Sequence, residues 1–309
     1  MTPASPSPVR GRLLVLAAAV LWSLSGVLVK LLTQPNALGL ASPPVPGLLI
    51  AFYRALFAGL TFGLLLRRRD VSFRPLMLVM MVCFAAMNVS FITALDRGTA
   101  ANAIILQYTA PIWMVLVSVC WLKEPATPRG ITALVVAMVG VAVIVADALR
   151  QPAAEDLVVV GIALGSGLTY AGVILCLRVL RGASARWLTV QNHLFAALVL
   201  LPAVIWMTQP TLPQLALLAL FGSVQMALPY WLVSRGLHSI TPQEAGILSL
   251  LEPILNPVWT YLVVGEVPQP ATFLGGALIL SALVWRYLPV GGRAFTAKRP
   301  ALPDGVPPR

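Results

Sequence analysis

The amino-acid sequence predicts an all-α integral membrane protein of ten transmembrane helices, arranged as two inverted five-helix repeats. Three observations predict it. The 309 residues are 59% hydrophobic and 10% charged, with a mean hydropathy of +0.90, whereas soluble domains carry about 25% charged residues. The chain divides into ten apolar windows of roughly 20 residues, the length that crosses a hydrocarbon core. A pattern of prolines and glutamates also recurs at an offset of 142 residues.

The windows run at 13–32, 47–66, 76–95, 99–122, 130–149, 157–177, 188–207, 214–234, 243–264 and 271–288. The first is as long as those after it, so it reads as a retained helix and not as a cleaved signal peptide. The ends, MTPASPSPVR and KRPALPDGVPPR, are proline-rich and are expected to be disordered. The chain thus divides into a tail at 1–11, a first five-helix unit at 12–150, a second at 157–288 and a tail at 289–309. No room is left for a soluble domain. Ala133, Ala137 and Gly140 in the fifth window, and Gly161, Gly165 and Gly172 in the sixth, fit close helix packing. The uncharged stretch TQPNALGLASPPVPG, 33–47, is rich in turn residues and reads either as a lid or as a passive linker. Cys83, Cys120 and Cys176 all fall within windows at a spacing that matches no metal site, so neither a disulfide, a metal nor a cofactor is expected.

The net charge of +11 does not call for a nucleic-acid partner, because the basic residues mark one side of a membrane. With the N-terminus cytoplasmic, 17 of the 21 fall on the cytoplasmic side, among them Arg10, Arg12, Arg67, Arg68, Arg69, Arg178, Arg181 and Arg186. Lys30, Arg97 and Arg150 fall on the other side with Asp96, Asp147, Glu155, Asp156 and Glu266, and Arg54 stays within a window. That is the asymmetry of the positive-inside rule. It predicts a multi-pass protein of the plasma (inner) membrane with both termini cytoplasmic.

The repeat is read by laying AIILQYTAPIWMVLVSVCWLKEP, from Ala103, over AGILSLLEPILNPVWTYLVVGEV, from Ala245. Ala103 falls on Ala245, Leu106 on Leu248, Pro111 on Pro253 and Glu124 on Glu266. Each copy has a proline at mid-window and a glutamate at the end, followed by one last helix. Upstream, LDRG at 95–98 corresponds to VSRG at 233–236 if the second copy carries a four-residue insertion. Five windows per copy is an odd number, so the second copy enters the membrane from the opposite side. Inverted repeats are an architecture of secondary transporters, whose substrate sites lie near the midplane between the halves beside broken helices.

The sharpest chemistry lies in SLLEPILNPVW, 249–259. Glu252, Asn256 and Trp259 are spaced to share one helical face, and Pro253 and Pro257 are expected to free two carbonyls beside it. A charge at the bilayer centre costs on the order of 3 kcal/mol. Protonating a glutamate with an ordinary pKa of ~4.3 at pH 7 costs about 3.7 kcal/mol. Near-equal costs suit a group that switches between charged and neutral, as proton coupling requires. The alternative is a permanent pair between Glu252 and Arg54 that holds helices together; Arg54 itself suits either a substrate carboxylate or a structural contact. Other polar groups recur at mid-window: Trp22 with Ser25, Gly26 and Val29, then Asn88, Gln107 and Tyr108, Thr169 and Tyr170, and Gln225. These line one cavity, or each makes an interhelical hydrogen bond worth about 0.6 kcal/mol. Pro111 and Pro229, like Pro253 and Pro257, are expected to kink their helices. His193, beside Asn192, reads as a proton relay or as a packed histidine.

On Trp22, Gly26, Arg54, the AxxLxxxxP pattern from Ala103 and from Ala245, and the pair Gly265–Glu266, the chain resembles the EamA-type members of the drug/metabolite transporter superfamily over about residues 12–288. The resemblance implies ten helices in two five-helix repeats and export over uptake. Two departures stand out: Lys123 precedes Glu124 where the family usually has glycine, and Glu252 is not a general family feature, so no substrate carries over.

The sequence contains no GxxxxGK[ST] loop, no HExxH and no GxSxG. A secondary carrier of a small metabolite leads. A membrane-embedded enzyme would need a constellation of nucleophile and base, and a passive channel would have only a single central acid. Glu252 suits a cation or amine, and Trp22, Tyr108 and Trp259 suit an amphipathic or aromatic solute. Amino acids and related amine-bearing solutes meet both. The expected partners are that solute and the lipid bilayer, with the chain a monomer or a homodimer.

Overall fold

Prolines begin most of the helices, where a missing N–H costs nothing. The computed structural model describes residues 7–36, 38–97, 106–121, 123, 125–148, 157–265 and 270–287. The helices are α1 (Pro8–Trp22), α2 (Ser25–Thr33), α3 (Gly47–Leu64), α4 (Pro75–Arg97), α5 (Ala110–Cys120), α6 (Pro128–Ala148) and α7 (Leu157–Val179). They continue with α8 (Ala185–Val204), α9 (Leu212–Leu220), a π-helical segment (Phe221–Ala227), α10 (Leu228–Gly236), α11 (Pro242–Ser249), α12 (Glu252–Val264) and α13 (Pro270–Tyr287). Among the described residues, six helical stretches are long and apolar enough to cross a membrane: Pro8–Thr33, Gly47–Leu64, Gly161–Val179, Ala185–Val204, Leu212–Gly236 and Pro242–Val263. Four shorter apolar helices, Pro75–Phe91, Ala110–Cys120, Pro128–Val143 and Phe273–Ala282, lie in the other windows.

Side-chain polarity is arranged for lipid. Leu64 and Trp206 are 89% and 88% exposed, whereas Asn88, Gln225 and His193 are 2%, 3% and 0% exposed. Polar groups turned inward find partners that hydrocarbon does not offer.

Helix ends follow local chemistry. The Glu244 N–H donates to the Thr241 hydroxyl at 3.2 Å and caps α11, and Thr211 and Gln214 form a reciprocal capping box at the start of α9. Gly265, at φ 78°, ends α12 in the left-handed conformation that glycine adopts without strain.

The helices pair in a definite scheme. α6 packs on α13, α3 on α8, α4 on α7, α1 on α10, α5 on α7 and on α11, and α2 on α12. The π segment lies against α3, and α4 also touches α8. Where α6 meets α13, a Cβ on Gly140 would lie 2.6 Å from the Gly275 carbonyl oxygen, so the two backbones touch.

Polar ties close both ends of the bundle. At one end Arg12 Nε donates to Glu244 Oε1 at 2.7 Å, Arg186 pairs with Asp70 at 3.4 Å, and Trp187 Nε1 donates to the Ser72 carbonyl at 2.6 Å. The Arg67 N–H, which donates to Asp70 at 2.9 Å, holds the Asp70 carboxyl below its usual range, helped by the Ser184 hydroxyl and Arg186. At the other end the stretch 33–47 is not free: Gln214 Nε2 donates to the carbonyls of Leu40 and Pro43 at 2.8 and 2.7 Å. The Tyr53 hydroxyl donates to Gln209 there at 2.6 Å.

Two of the expected kinks take another form. Pro111 and Pro253 each stand at the second position of a helix, α5 and α12, whereas Pro229 lies inside the unbroken helical run Leu212–Gly236. Pro253 therefore does not open a continuous helix; α11 has already ended at Ser249. A proline inside a helix clashes with the carbonyl four residues earlier, and ahead of Pro229 the chain widens into the π segment, which relieves that clash. Pro257 lies within α12, and its side chain is outside the described residues. So are Ala103, Glu124, Glu266 and the loop 151–156.

Candidate functional site

Three helix breaks converge on one cavity. The first is at Ser23–Leu24 between α1 and α2, the second at Tyr108–Thr109 ahead of α5, and the third at Leu250–Leu251 between α11 and α12. The second and third lie 142 residues apart, the offset of the repeat. At the third, the Leu250 and Leu251 N–H groups turn back to Ile247 and Leu248 at 3.2 Å each, a tight turn that ends one helix and lets Glu252 begin the next. Glu252 thus stands in the first turn of a helix.

The cavity, of about 70 Å³, is lined by Trp22 and Ser25 at the first break, Gln107 and Tyr108 at the second and Glu252 at the third. Arg54 from α3, Met87, Asn88 and Phe91 from α4, Tyr170 from α7, Gln225 and Met226 from the π segment and Tyr230 from α10 complete it. Trp22 meets Tyr170 and Tyr230 edge-on, with ring centroids 6.1 and 5.1 Å apart. Glu252 is close enough to the Tyr108 hydroxyl to interact with it directly. Gln225 Nε2 donates to the Trp22 carbonyl at 2.9 Å, capping the acceptor that the first break frees, while its Oε1 has no partner among the described residues.

Arg54 and Glu252 do not form a contact ion pair among the described residues. Arg54 Nη2 donates to Asn88 Oδ1 at 3.2 Å, and Asn88 Nδ2 donates to the Phe84 carbonyl at 3.0 Å. The guanidinium lies 5.6 Å from the centre of the Phe221 ring, and its Nε has no partner among the described residues. Arg54 does not snorkel: it is 7% exposed and faces the cavity.

Nine of the residues singled out in the sequence meet here: Trp22, Ser25, Arg54, Asn88, Gln107, Tyr108, Tyr170, Gln225 and Glu252. Asn256 and Trp259 do not line the cavity. Asn256 Nδ2 donates to Ser25 Oγ at 3.3 Å, and Trp259 Nε1 donates to Ser23 Oγ at 2.8 Å. Thr169 bonds to its own helix at Gly165. His193 stands behind the wall, its ring 5.3 Å from Tyr230 and 4.6 Å from Phe84. Its Nδ1 donates to the Thr189 carbonyl at 2.8 Å, so Nε2 is left as an acceptor without a partner among the described residues.

Met87, Phe91, Met226 and Tyr230 escaped the reading of polar residues. The signal for two of them was in the register set by LDRG and VSRG, an offset of 138, under which Met87 falls on Gln225 and Asn88 on Met226. All four line the cavity.

A bundle of apolar helices around a cavity with an acid, a guanidinium and aromatic walls defines a multi-pass membrane protein built to handle a small solute. The sequence matches the profile of the EamA-like transporter family twice, over residues 9–146 and 157–288, and the chain belongs to that family. It is 30% identical over 250 residues to an uncharacterized transporter of Archaeoglobus fulgidus, covering 77% of this chain and 86% of the relative. It is 26% identical over 281 residues to the pseudopaline exporter CntI of Pseudomonas aeruginosa, covering 89% and 94%. A solved structure described as "Crystal structure of protein" superposes with a TM-score of 0.77 at 16% identity, covering 92% of this chain and 98% of that one. At that identity the likeness is one of fold.

Proposed function

We propose that the chain is a secondary carrier that exports a small amine-bearing metabolite, such as an amino acid, by alternating access, with Glu252 coupling transport to protons. The observation that carries this is an acid at a helix N-terminus, in a cavity walled by helices of both halves, without a contact ion pair to Arg54. An acid so held is open to a proton or to the amine of a solute, and the rings of Trp22, Tyr108, Tyr170 and Tyr230 suit that solute's apolar part. The relative named as a pseudopaline exporter supports efflux.

The carrier reading includes ten spans in two inverted repeats at 12–150 and 157–288. Two features support it. Exchanging each helix with its counterpart in the other half maps several of the main pairings onto others that are present: α4 with α7 becomes α10 with α1, and α5 with α7 becomes α12 with α2. α3 with α8 and α6 with α13 are self-paired. The helix breaks and cavity walls also recur at offsets of 142 and 138. Charge asymmetry supports a cytoplasmic position for the Arg12–Glu244 end and for both termini, and membership of a transporter family with bacterial relatives supports the plasma (inner) membrane.

Proteoliposomes test the function. Saturable counterflow of labelled amino acids and amines is expected; product formation without flux would mean an enzyme, and flux that does not saturate a channel.

A further inference from the structure

The first and ninth predicted spans are broken at Ser23–Leu24 and at Leu250–Leu251, and their four half-helices pair by level. α1 packs on α11 and α2 on α12. Each pair has its own polar tie. Arg12 and Glu244 join α1 to α11 at 2.7 Å. Asn256 and Ser25 join α12 to α2 at 3.3 Å, and Gly26 lies so close there that an added Cβ would overlap the Asn256 side-chain oxygen. At the break itself Trp259 Nε1 reaches back to Ser23 Oγ at 2.8 Å, and that hydroxyl donates onward to the Val20 carbonyl at 2.6 Å. Ser23 is fully buried.

We propose that these spans work as a paired hinge. α1 with α11 and α2 with α12 swing as two bodies about the two breaks, and the Trp259–Ser23 hydrogen bond pins the pivot. Glu252 opens α12 and Trp22 closes α1 beside the pivot residue Ser23; both line the cavity. A change in the charge or ligation of Glu252 tilts α12, which carries α2 with it through Asn256 and moves the wall that Trp22 forms. Asn256 and Trp259 are therefore positioning residues, and their contribution is to turnover. The breaks supply the freedom: there the regular ladder gives way to tighter bonds three residues back, from Leu24 to Leu21, Leu250 to Ile247 and Leu251 to Leu248, and such interruptions are where helices bend. Close packing of Gly26 against Asn256 stiffens the α2–α12 pair, and the Arg12–Glu244 ion pair ties α1 to α11.

The hinge rests on the carrier reading, and its test separates the two. Ser23→Ala, Trp259→Phe and the double variant would be compared with the parent chain in proteoliposomes for counterflow of labelled L-phenylalanine. Expected is a turnover about tenfold lower in each single variant, with KM within about twofold, and a double variant no slower than the slower single. A raised KM at unchanged turnover would make Trp259 a substrate contact and overturn the hinge; effects that multiply in the double variant would do the same. If the parent chain moves no L-phenylalanine, the carrier reading for that solute fails. The pin is then decided by melting temperatures of the same four proteins in detergent: non-additive shifts support it, and additive shifts overturn it.

Discussion

Glu252 and Gly26 show how much one position carries. Glu252→Gln keeps the shape and much of the hydrogen bonding of the acid, so the variant is expected to insert and fold. Removing the titrating group then abolishes pH-driven flux while solute exchange continues. Transport in proteoliposomes with and without an imposed pH gradient checks it; undiminished pH-driven flux would end the coupling role. At Gly26 an alanine methyl collides with Asn256, and such overpacking costs about 1–3 kcal/mol. Gly26→Ala is expected to lower the melting temperature, and Gly26→Ala with Asn256→Ala to recover part of the loss, because the second change removes the colliding oxygen. No recovery would mean that the glycine is needed for another reason.

The ties between elements differ at the two ends of the bundle. Gln214 holds the stretch between α2 and α3 through two donors. Gln214→Leu leaves the Leu40 and Pro43 carbonyls without that partner, at about 0.5–1.5 kcal/mol for each hydrogen bond. Faster limited proteolysis between Gln34 and Pro46 is the expected readout, and an unchanged cleavage rate would remove the latch. At the opposite end Asp70 ties the α3–α4 connection to α8. Its carboxyl is held below the usual range by the Arg67 N–H first, then by Ser184 and Arg186. A lowered folded-state pKa means that the stabilisation is present at neutral pH and fades as pH falls through the carboxylate range. Asp70→Asn should therefore melt slightly below the parent at pH 7 and level with it under acid conditions. A gap that persists in acid would point to another cause.

For the whole molecule, the distribution of charge makes a prediction about sidedness. Arg68 lies in the connection between α3 and α4, and Leu38, 69% exposed, lies in the connection between α2 and α3. With a cytoplasmic N-terminus, Leu38→Cys is expected to react with a membrane-impermeant thiol reagent in intact cells, and Arg68→Cys only after the membrane is opened. The reverse pattern would invert the topology and with it the assignment of the Arg12–Glu244 end.

The helices themselves were legible in the sequence because lipid imposes a simple rule: a run of about 20 apolar residues must be helical to satisfy its own backbone. The repeat was legible because Pro111 and Pro253, and Leu106 and Leu248, kept their spacing, and Glu252 was conspicuous because an acid among apolar neighbours is costly. Proline positions were read less well. Sequence spacing puts Pro253 inside one long helix, but whether a proline kinks a helix or starts one depends on where the preceding ladder ends, and the turn at Leu250–Leu251 decides that. Spacing also put Asn256 and Trp259 on the face of Glu252 without saying what that face meets. Ser23 and Ser25, more than 230 residues earlier in the chain, take their hydrogen bonds. The run of apolar residues along the chain determined which segments are long and apolar enough to cross a membrane and which groups are out of keeping with lipid. Only tertiary packing decided which of those groups share a cavity and which bond to one another, because that depends on contacts between segments far apart in sequence.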